Sequence, residues 1–286
     1  MATAGAPIEL AALTLILALV GGLFPIFSKI KENPETLRRI TGIASGILLA
    51  SALLVVVPEG FELATEEHEE AGHEEEAGHE EEGVGNLLIG GAVLAGFLVM
   101  LILEGSGIGH AIHEEHHDHH NEHGHEHVHH RNSPWIIVLG LSLHSAADGL
   151  AIGSAAAGTS EAVTALVALA VLIHKVPAAF SLGVFSMHER EDRNDTIRDI
   201  VMYSLPTPAM IIVSFYALQG LADPLIALAM LFAAGTFLYV ATVDTLPDIH
   251  NPETGREALR NVLIGVTAMV LVLYGAAAVG LIEHVH

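Results

Sequence analysis

The hydrophobic pattern of this chain consists of long apolar runs separated by polar connections. A window of about 20 residues, the length with which a helix crosses a hydrocarbon core of about 30 Å, finds repeated runs of this kind. Eight of them cover residues 8–27, 40–57, 87–103, 135–157, 162–185, 201–221, 225–243 and 263–282. The pattern predicts an all-α integral membrane protein with eight transmembrane helices.

Composition supports a membrane protein and excludes a soluble domain of this size. The chain has 286 residues, of which 51% are hydrophobic and 16% charged, and its mean hydropathy is +0.52. We expect one transmembrane domain over residues 1–286, embedded in a lipid bilayer, and no nucleic-acid partner. The first run lacks a preceding basic segment, so we expect a retained helix rather than a cleaved signal peptide. The absence of cysteine excludes disulfides and thiolate metal sites.

The basic residues predict an orientation. Four connections between the runs, or their borders, carry all but one of them: Lys29, Lys31, Arg38, Arg39, Arg131, Arg190, Arg193, Arg198, Arg256 and Arg260. The positive-inside rule assigns these four connections to the cytoplasm and both termini to the outside. The remaining basic residue, Lys175, lies within the fifth run.

Two long connections are rich in charge or histidine. Residues 61–86 form an acidic outer loop and residues 106–133 a histidine-rich cytoplasmic loop, and we expect both to be disordered. Imidazole and carboxylate groups together suit zinc and related divalent ions. The cytoplasmic loop therefore predicts a weak metal buffer, although a solvated linker would have a similar composition. Its candidate ligands are His116, His117, His119, His120, His123 and His125.

Polar residues inside the fourth and fifth runs are the main candidates for chemistry. His144 and Asp148 are four residues apart, so they lie on one helix face and could share an ion. His174 and Lys175 follow in the next run, where Pro177 is expected to break the helix. Ionisable residues at the bilayer centre are costly and indicate function by default, although a lone histidine there often only bonds a neighbouring helix.

These segments resemble the ZIP (Zrt/Irt-like) family of divalent metal transporters. The matching motifs are "HSAADG" from residue 144, "HKVPAAF" from residue 174, "VVVPEG" at 55–60, where the second run ends, and "AGTFLYVATVDTLPD" at 234–248. The resemblance implies a ZIP-type bundle that moves zinc, or another divalent ion, toward the cytoplasm. It also implies that His144, Asp148 and His174 are metal ligands.

The fifth run departs from the commoner ZIP pattern. In that pattern an acidic residue directly follows the histidine, and a further ligand lies four residues after the histidine. Lys175 and Ala178 occupy those positions, and Ser145 follows the first histidine. This resembles the branch with HKxPAAF that includes the ninth human member. We hypothesise that Lys175 replaces a second metal ion with a fixed charge. At about 4 Å from Asp148 its ammonium would gain about 4 kcal/mol at an effective dielectric of 20. The alternative is that Lys175 extends toward a helix end.

Four further residues are candidates for the transport pathway, and other functions have to be considered. Ser145, Glu59, Glu104 and Asp244 are candidate pathway residues, although acids at helix ends are often interfacial anchors. The competing functions are a zinc-exporting cation diffusion facilitator and a metal sensor without flux. An intramembrane metalloprotease would need an HExxH motif, which neither run provides, so no enzyme is expected. We expect a cell-membrane location, and a homodimer is one candidate oligomeric state.

Overall fold

Helices are the only regular secondary structure in the described part of the chain. The computed structural model describes residues 5–28, 34–65, 85–106, 134–190 and 192–278. Its α-helices are α1 (Gly5–Phe27), α2 (Pro34–Ser51), α3 (Val57–Thr65), α4 (Asn86–Gly105), α5 (Pro134–Gly158), α6 (Glu161–Glu189), α7 (Arg193–Ser204), α8 (Pro206–Leu218), α9 (Asp223–His250) and α10 (Gly255–Ala278).

Eight helical stretches within these residues are long and apolar enough to cross a membrane, which confirms the predicted fold class. Several bounds differ from the prediction. The second stretch runs to Thr65. The helix of the seventh run, α9, extends to His250, and that of the eighth run, α10, begins at Gly255. Helices extend beyond their apolar runs because backbone hydrogen bonds continue into the polar interface, where hydropathy no longer marks them.

The second stretch does not end at "VVVPEG", so that prediction is wrong. A π-helical turn, Ala52–Val56, joins α2 to α3, and the Val57 N–H donates to the carbonyl of Ala52. Pro58 follows this turn and has no N–H to donate. The wider turn lets the chain pass the proline without ending the helix.

Proline has opposite effects in the fifth and sixth stretches. Helix α6 continues unbroken through Pro177, contrary to the predicted break. The sixth stretch, predicted as one helix, is instead divided into α7 and α8 at Leu205. Two closely spaced prolines, Pro206 and Pro208, remove two of three neighbouring backbone donors there, whereas a single proline removes only one.

The helices pack in two groups that meet at the centre. Helices α1, α5, α6, α7 and α8 contact one another, and α2, α3, α4, α9 and α10 form the second group. Within each group glycines allow backbones to touch: a side chain at Gly183 would meet the carbonyl of Gly22, and one at Gly96 that of Phe232. The groups join where α9 packs on α5 and α2 on α6.

Arginine side chains connect neighbouring helix ends in two sets. One set joins α1, α5, α6 and α7, and the other joins α2 and α10. The guanidinium of Arg193 lies 4.8 Å from the ring of Phe27, that of Arg190 lies 5.4 Å from the ring of Trp135, and Arg39 Nε lies 3.0 Å from Glu257 Oε1.

Candidate metal site

Helices α5 and α6 bring together the three residues expected to bind metal. The Nε2 atoms of His144 and His174 lie 3.6 and 3.3 Å from Oδ1 of Asp148. One ligand atom from each residue can be chosen so that all three lie within 4.8 Å of one another. All three side chains are buried, and Asp148 is 0% exposed. They are the only histidine and acidic residues of the described chain that form such a group.

The tautomer of His174 follows from its second ring nitrogen. Nδ1 lies 2.9 Å from the carbonyl of Ala170, one turn earlier in α6. A carbonyl oxygen can only accept a hydrogen bond, so Nδ1 carries the hydrogen. In a neutral imidazole Nε2 then presents a lone pair to Oδ1 of Asp148. Two acceptors at 3.3 Å favour a cation or a shared proton between them.

Lys175 does not extend toward a helix end. Its side chain is 0% exposed, and Nζ lies 2.8 Å from Oδ2 of Asp148. At that distance the Coulomb attraction is about 6 kcal/mol at an effective dielectric of 20, which offsets an insertion cost of about 3 kcal/mol for each of the two central charges. The ion pair can therefore hold both charges inside the membrane.

Three further side chains complete the surroundings of Lys175. Its Nζ also donates to Oγ of Ser145 at 2.6 Å and to Oγ1 of Thr207 at 2.7 Å. The ring of Tyr203 lies 4.5 Å from Nζ, which suits a cation–π contact. We call this set, Ser145, Asp148, Tyr203 and Thr207, the Lys175 pocket.

Sequence reasoning missed three residues of the site: Thr207, Tyr203 and Phe237. The ring of Phe237, on α9, packs edge-on to the imidazoles of His144 and His174, with centroids 5.8 and 5.9 Å away. Thr207 lies between the two prolines of "LPTPAM", and this proline pair is the sequence feature that could have pointed to it. Phe237 lies inside the motif at residues 234–248 quoted above, but nothing local distinguishes it from a core aromatic.

Among the described residues, the predicted Glu59 and Glu104 do not belong to this group. Glu59 is half-buried within α3, and Glu104 near the end of α4 accepts a hydrogen bond of 2.8 Å from Tyr239. Asp244 belongs to α9, but its side chain is outside the described part. Six further candidates from the predicted cytoplasmic loop also lie outside the described residues: His116, His117, His119, His120, His123 and His125.

Comparison with known proteins decides the family. The family described as "ZIP Zinc transporter" matches residues 5–133 and 104–283. The chain belongs to the ZIP zinc transporter family. It is 32% identical to zinc transporter ZIP9 of Xenopus tropicalis over 265 residues, which cover 82% of this chain and 84% of that protein.

Two further ZIP9 proteins show similar relationships. Zinc transporter ZIP9 of Micropogonias undulatus is 32% identical over 259 residues, covering 80% of each chain. That of Macaca fascicularis is 40% identical over 146 residues, covering 46% of this chain and 61% of the relative. The predicted family resemblance is confirmed, and the chain is a divalent metal transporter rather than an enzyme or a cation diffusion facilitator.

Proposed function

We propose that this ZIP transporter carries zinc toward the cytoplasm through one site formed by His144, Asp148 and His174. The observation that supports this most strongly is the convergence of two imidazole nitrogens on one carboxylate oxygen, in a buried position near the middle of α5 and α6. Nitrogen and oxygen ligands without sulfur suit zinc. The similar proteins are named zinc transporters, which favours the same ion here.

The spacing of these atoms supports a tetrahedral ion. Zinc bonds of about 2.0 Å at tetrahedral angles place neighbouring ligand atoms about 3.3 Å apart. The two distances from Oδ1 of Asp148, 3.3 Å to His174 and 3.6 Å to His144, are close to that value. The ligand atoms of the three residues lie within 4.8 Å of one another, so the two imidazoles would close around the ion to form three corners, and water would take the fourth. Three protein ligands with one open position suit an ion that must enter and leave.

Lys175 takes the role of a second metal ion in this proposal. Its ammonium neutralises Asp148, so the empty site carries no net charge while both histidines are neutral. A neutral empty site can cross the low-dielectric interior during the return step at less cost than a lone carboxylate. The same fixed charge repels a bound dication, which weakens binding and favours release. We therefore expect one transported ion per cycle at this site.

The direction and surroundings of transport complete the proposal. The basic connections would face the cytoplasm, with the termini and the acidic loop outside, in the cell membrane. Glu59 would line the outer route, and Glu104 and Asp244 the inner one. The cytoplasmic histidine-rich loop would buffer released zinc, and other divalent metals would compete weakly. A homodimer is one candidate for the unit in the bilayer.

Zinc flux into proteoliposomes loaded with a fluorescent zinc indicator tests the site. The parent should show saturable flux that His174→Ala abolishes. His188→Ala is the matched control, because His188 is exposed near the end of the same helix. Flux that survives His174→Ala would contradict the site. No flux from a folded, zinc-binding parent would contradict transport by this chain alone.

A further inference from the structure

The two oxygens of Asp148 have different partners. Oδ1 faces the Nε2 atoms of His144 and His174, at 3.6 and 3.3 Å. Oδ2 instead accepts a hydrogen bond of 2.8 Å from Nζ of Lys175. An ion bound between the imidazoles therefore meets one carboxylate oxygen, while the other is occupied by an ammonium group.

Lys175 is fixed on Oδ2 because all three of its hydrogens have acceptors. An ammonium group carries three donors, and Nζ lies 2.6 Å from Ser145 Oγ, 2.7 Å from Thr207 Oγ1 and 2.8 Å from Asp148 Oδ2. No hydrogen is left over for Oδ1. Moving the ammonium away from Oδ2 would break a charge-assisted hydrogen bond in a site without exposed surface.

The two hydroxyl groups are oriented as acceptors by neighbouring backbone. Thr207 Oγ1 donates to the carbonyl of Ser145 at 2.6 Å, and Ser145 Oγ donates to the carbonyl of Tyr203 at 2.9 Å. With both hydroxyl hydrogens directed at carbonyls, both oxygens present lone pairs to the ammonium. The two oxygens also lie 2.8 Å apart, within hydrogen-bond distance of each other, so one hydroxyl hydrogen can be shared between its carbonyl and the other hydroxyl while both oxygens keep a lone pair for the ammonium.

Thr207 is the member of the Lys175 pocket that comes from the far side of the helix break. It lies in the first turn of α8, immediately after Pro206. Its hydroxyl joins α8 to the backbone of α5 and to the side chain of α6 at one point. Loss of this hydroxyl would free one ammonium hydrogen and allow Lys175 to shift along the carboxylate.

We propose that Thr207 is a positioning residue that sets the metal selectivity of the transporter. By holding Lys175 on Oδ2, it restricts Asp148 to one oxygen for the metal. A one-oxygen carboxylate with two imidazoles suits four-coordinate zinc. Mn²⁺ prefers six ligands rich in oxygen, so it gains when both carboxylate oxygens are free. This inference rests on the proposed site of His144, Asp148 and His174.

The experiment measures zinc flux by the full chain in proteoliposomes, with Mn²⁺ as competing ion. Thr207→Val keeps the shape of the side chain and removes the hydroxyl, whereas Thr207→Ser keeps the hydroxyl. Thr14→Val is the matched control, because Thr14 is also fully buried but bonds only to Ala11 in its own helix. The zinc KM and kcat and the Mn²⁺ inhibition constant are determined for each variant.

In Thr207→Val the ratio of the Mn²⁺ inhibition constant to the zinc KM should fall about tenfold, the size expected for a lost hydrogen bond to a charged group. Thr207→Ser should restore the ratio, and Thr14→Val should keep the parent value. A merely structural role would lower kcat or raise both constants together, leaving the ratio unchanged, and that result would overturn the proposal.

Two further variants keep the outcome decisive. If Thr207→Val does not yield folded protein by size exclusion, Ser145→Ala serves instead, because it removes the other hydroxyl acceptor. A fall in its ratio of the Mn²⁺ inhibition constant to the zinc KM would support the proposal, and an unchanged ratio would overturn it. His174→Ala tests the site itself. Retained zinc flux in His174→Ala would overturn the proposed function, whereas lost flux there with an unchanged ratio in Thr207→Val would overturn only the role of Thr207.

Discussion

Arg190 and Asp199 form a two-pronged ion pair between the end of α6 and the middle of α7. The Nε and terminal nitrogens of Arg190 lie 2.8 and 3.1 Å from the two carboxylate oxygens, and Ser186 Oγ donates to the same carboxylate at 2.8 Å. The side chain of Asp199 is 1% exposed. The pair connects α6 to α7.

Removing the charge of Asp199 should therefore destabilise the protein. We expect Asp199→Asn to cost about 3 kcal/mol, because it leaves the mostly buried Arg190 without its counter-ion. Thermal unfolding of the detergent-purified protein measures the effect. Asp195→Asn is the control on the same helix, since its pair with Arg198 is exposed and should contribute less than about 1 kcal/mol. Equal shifts in Tm for the two variants would contradict this prediction.

The two histidines of the site should act as a unit. Because both contact the same oxygen of Asp148, loss of either removes one corner of a single ion site. We expect His144→Ala and His174→Ala each to lower kcat/KM for zinc by at least about tenfold, and the double variant to lose no more than the worse single one. Additive losses in zinc flux would indicate two independent sites instead.

Replacing Lys175 should change the number of ions bound. Lys175→Ala leaves the buried carboxylate without its 2.8 Å partner, so zinc affinity and flux should both change. Lys175→Glu adds a carboxylate beside Ser145 and Thr207, which should create a second cation position. Elemental analysis of dialysed protein should find about one more zinc ion per chain in Lys175→Glu. Zinc bound by the loops is the same in the parent and in Lys175→Glu, so an equal zinc content of the two proteins would reject the second cation position.

Phe237 should fix the orientation of both imidazoles. Its ring packs edge-on to His144 and His174, and each aromatic contact of this kind contributes about 1 kcal/mol. We expect Phe237→Leu to fold and to raise the zinc KM about fivefold. Phe215→Leu, at a buried position on α8, is the control and should keep the parent KM. A similar KM in the two variants would indicate that Phe237 only fills space.

The histidines of the connection between α4 and α5 should affect zinc-binding capacity rather than transport. Replacement of His116, His117, His119, His120, His123 and His125 by serine should lower the amount of zinc retained by the purified protein, because a loop of imidazoles binds ions weakly and reversibly. The zinc KM for flux into proteoliposomes should stay at the parent value. A raised KM would show that the loop takes part in the transport cycle.

The sequence was sufficient for the number and positions of the spanning helices. Bilayer thickness sets a minimum apolar length, and each of the eight stretches exceeds it without reference to any neighbour. Helical periodicity likewise placed His144 and Asp148 on one face, because a spacing of four residues is nearly one turn. The same local reasoning failed at Pro58 and Pro177, where the helix continues, since a local pattern does not show whether the backbone adjusts around a missing donor.

Only the tertiary structure decided how the site is completed. Thr207 lies 32 residues beyond Lys175, and Phe237 reaches the histidines from the other group of helices. Membrane helices are apolar on almost every face, so hydropathy does not show which faces meet or at what depth. The division of Asp148 into one oxygen for the imidazoles and one for Lys175 depends on helix packing at a scale of tenths of an ångström. That packing follows from close backbone contacts at small residues, which the order of residues along one helix does not reveal.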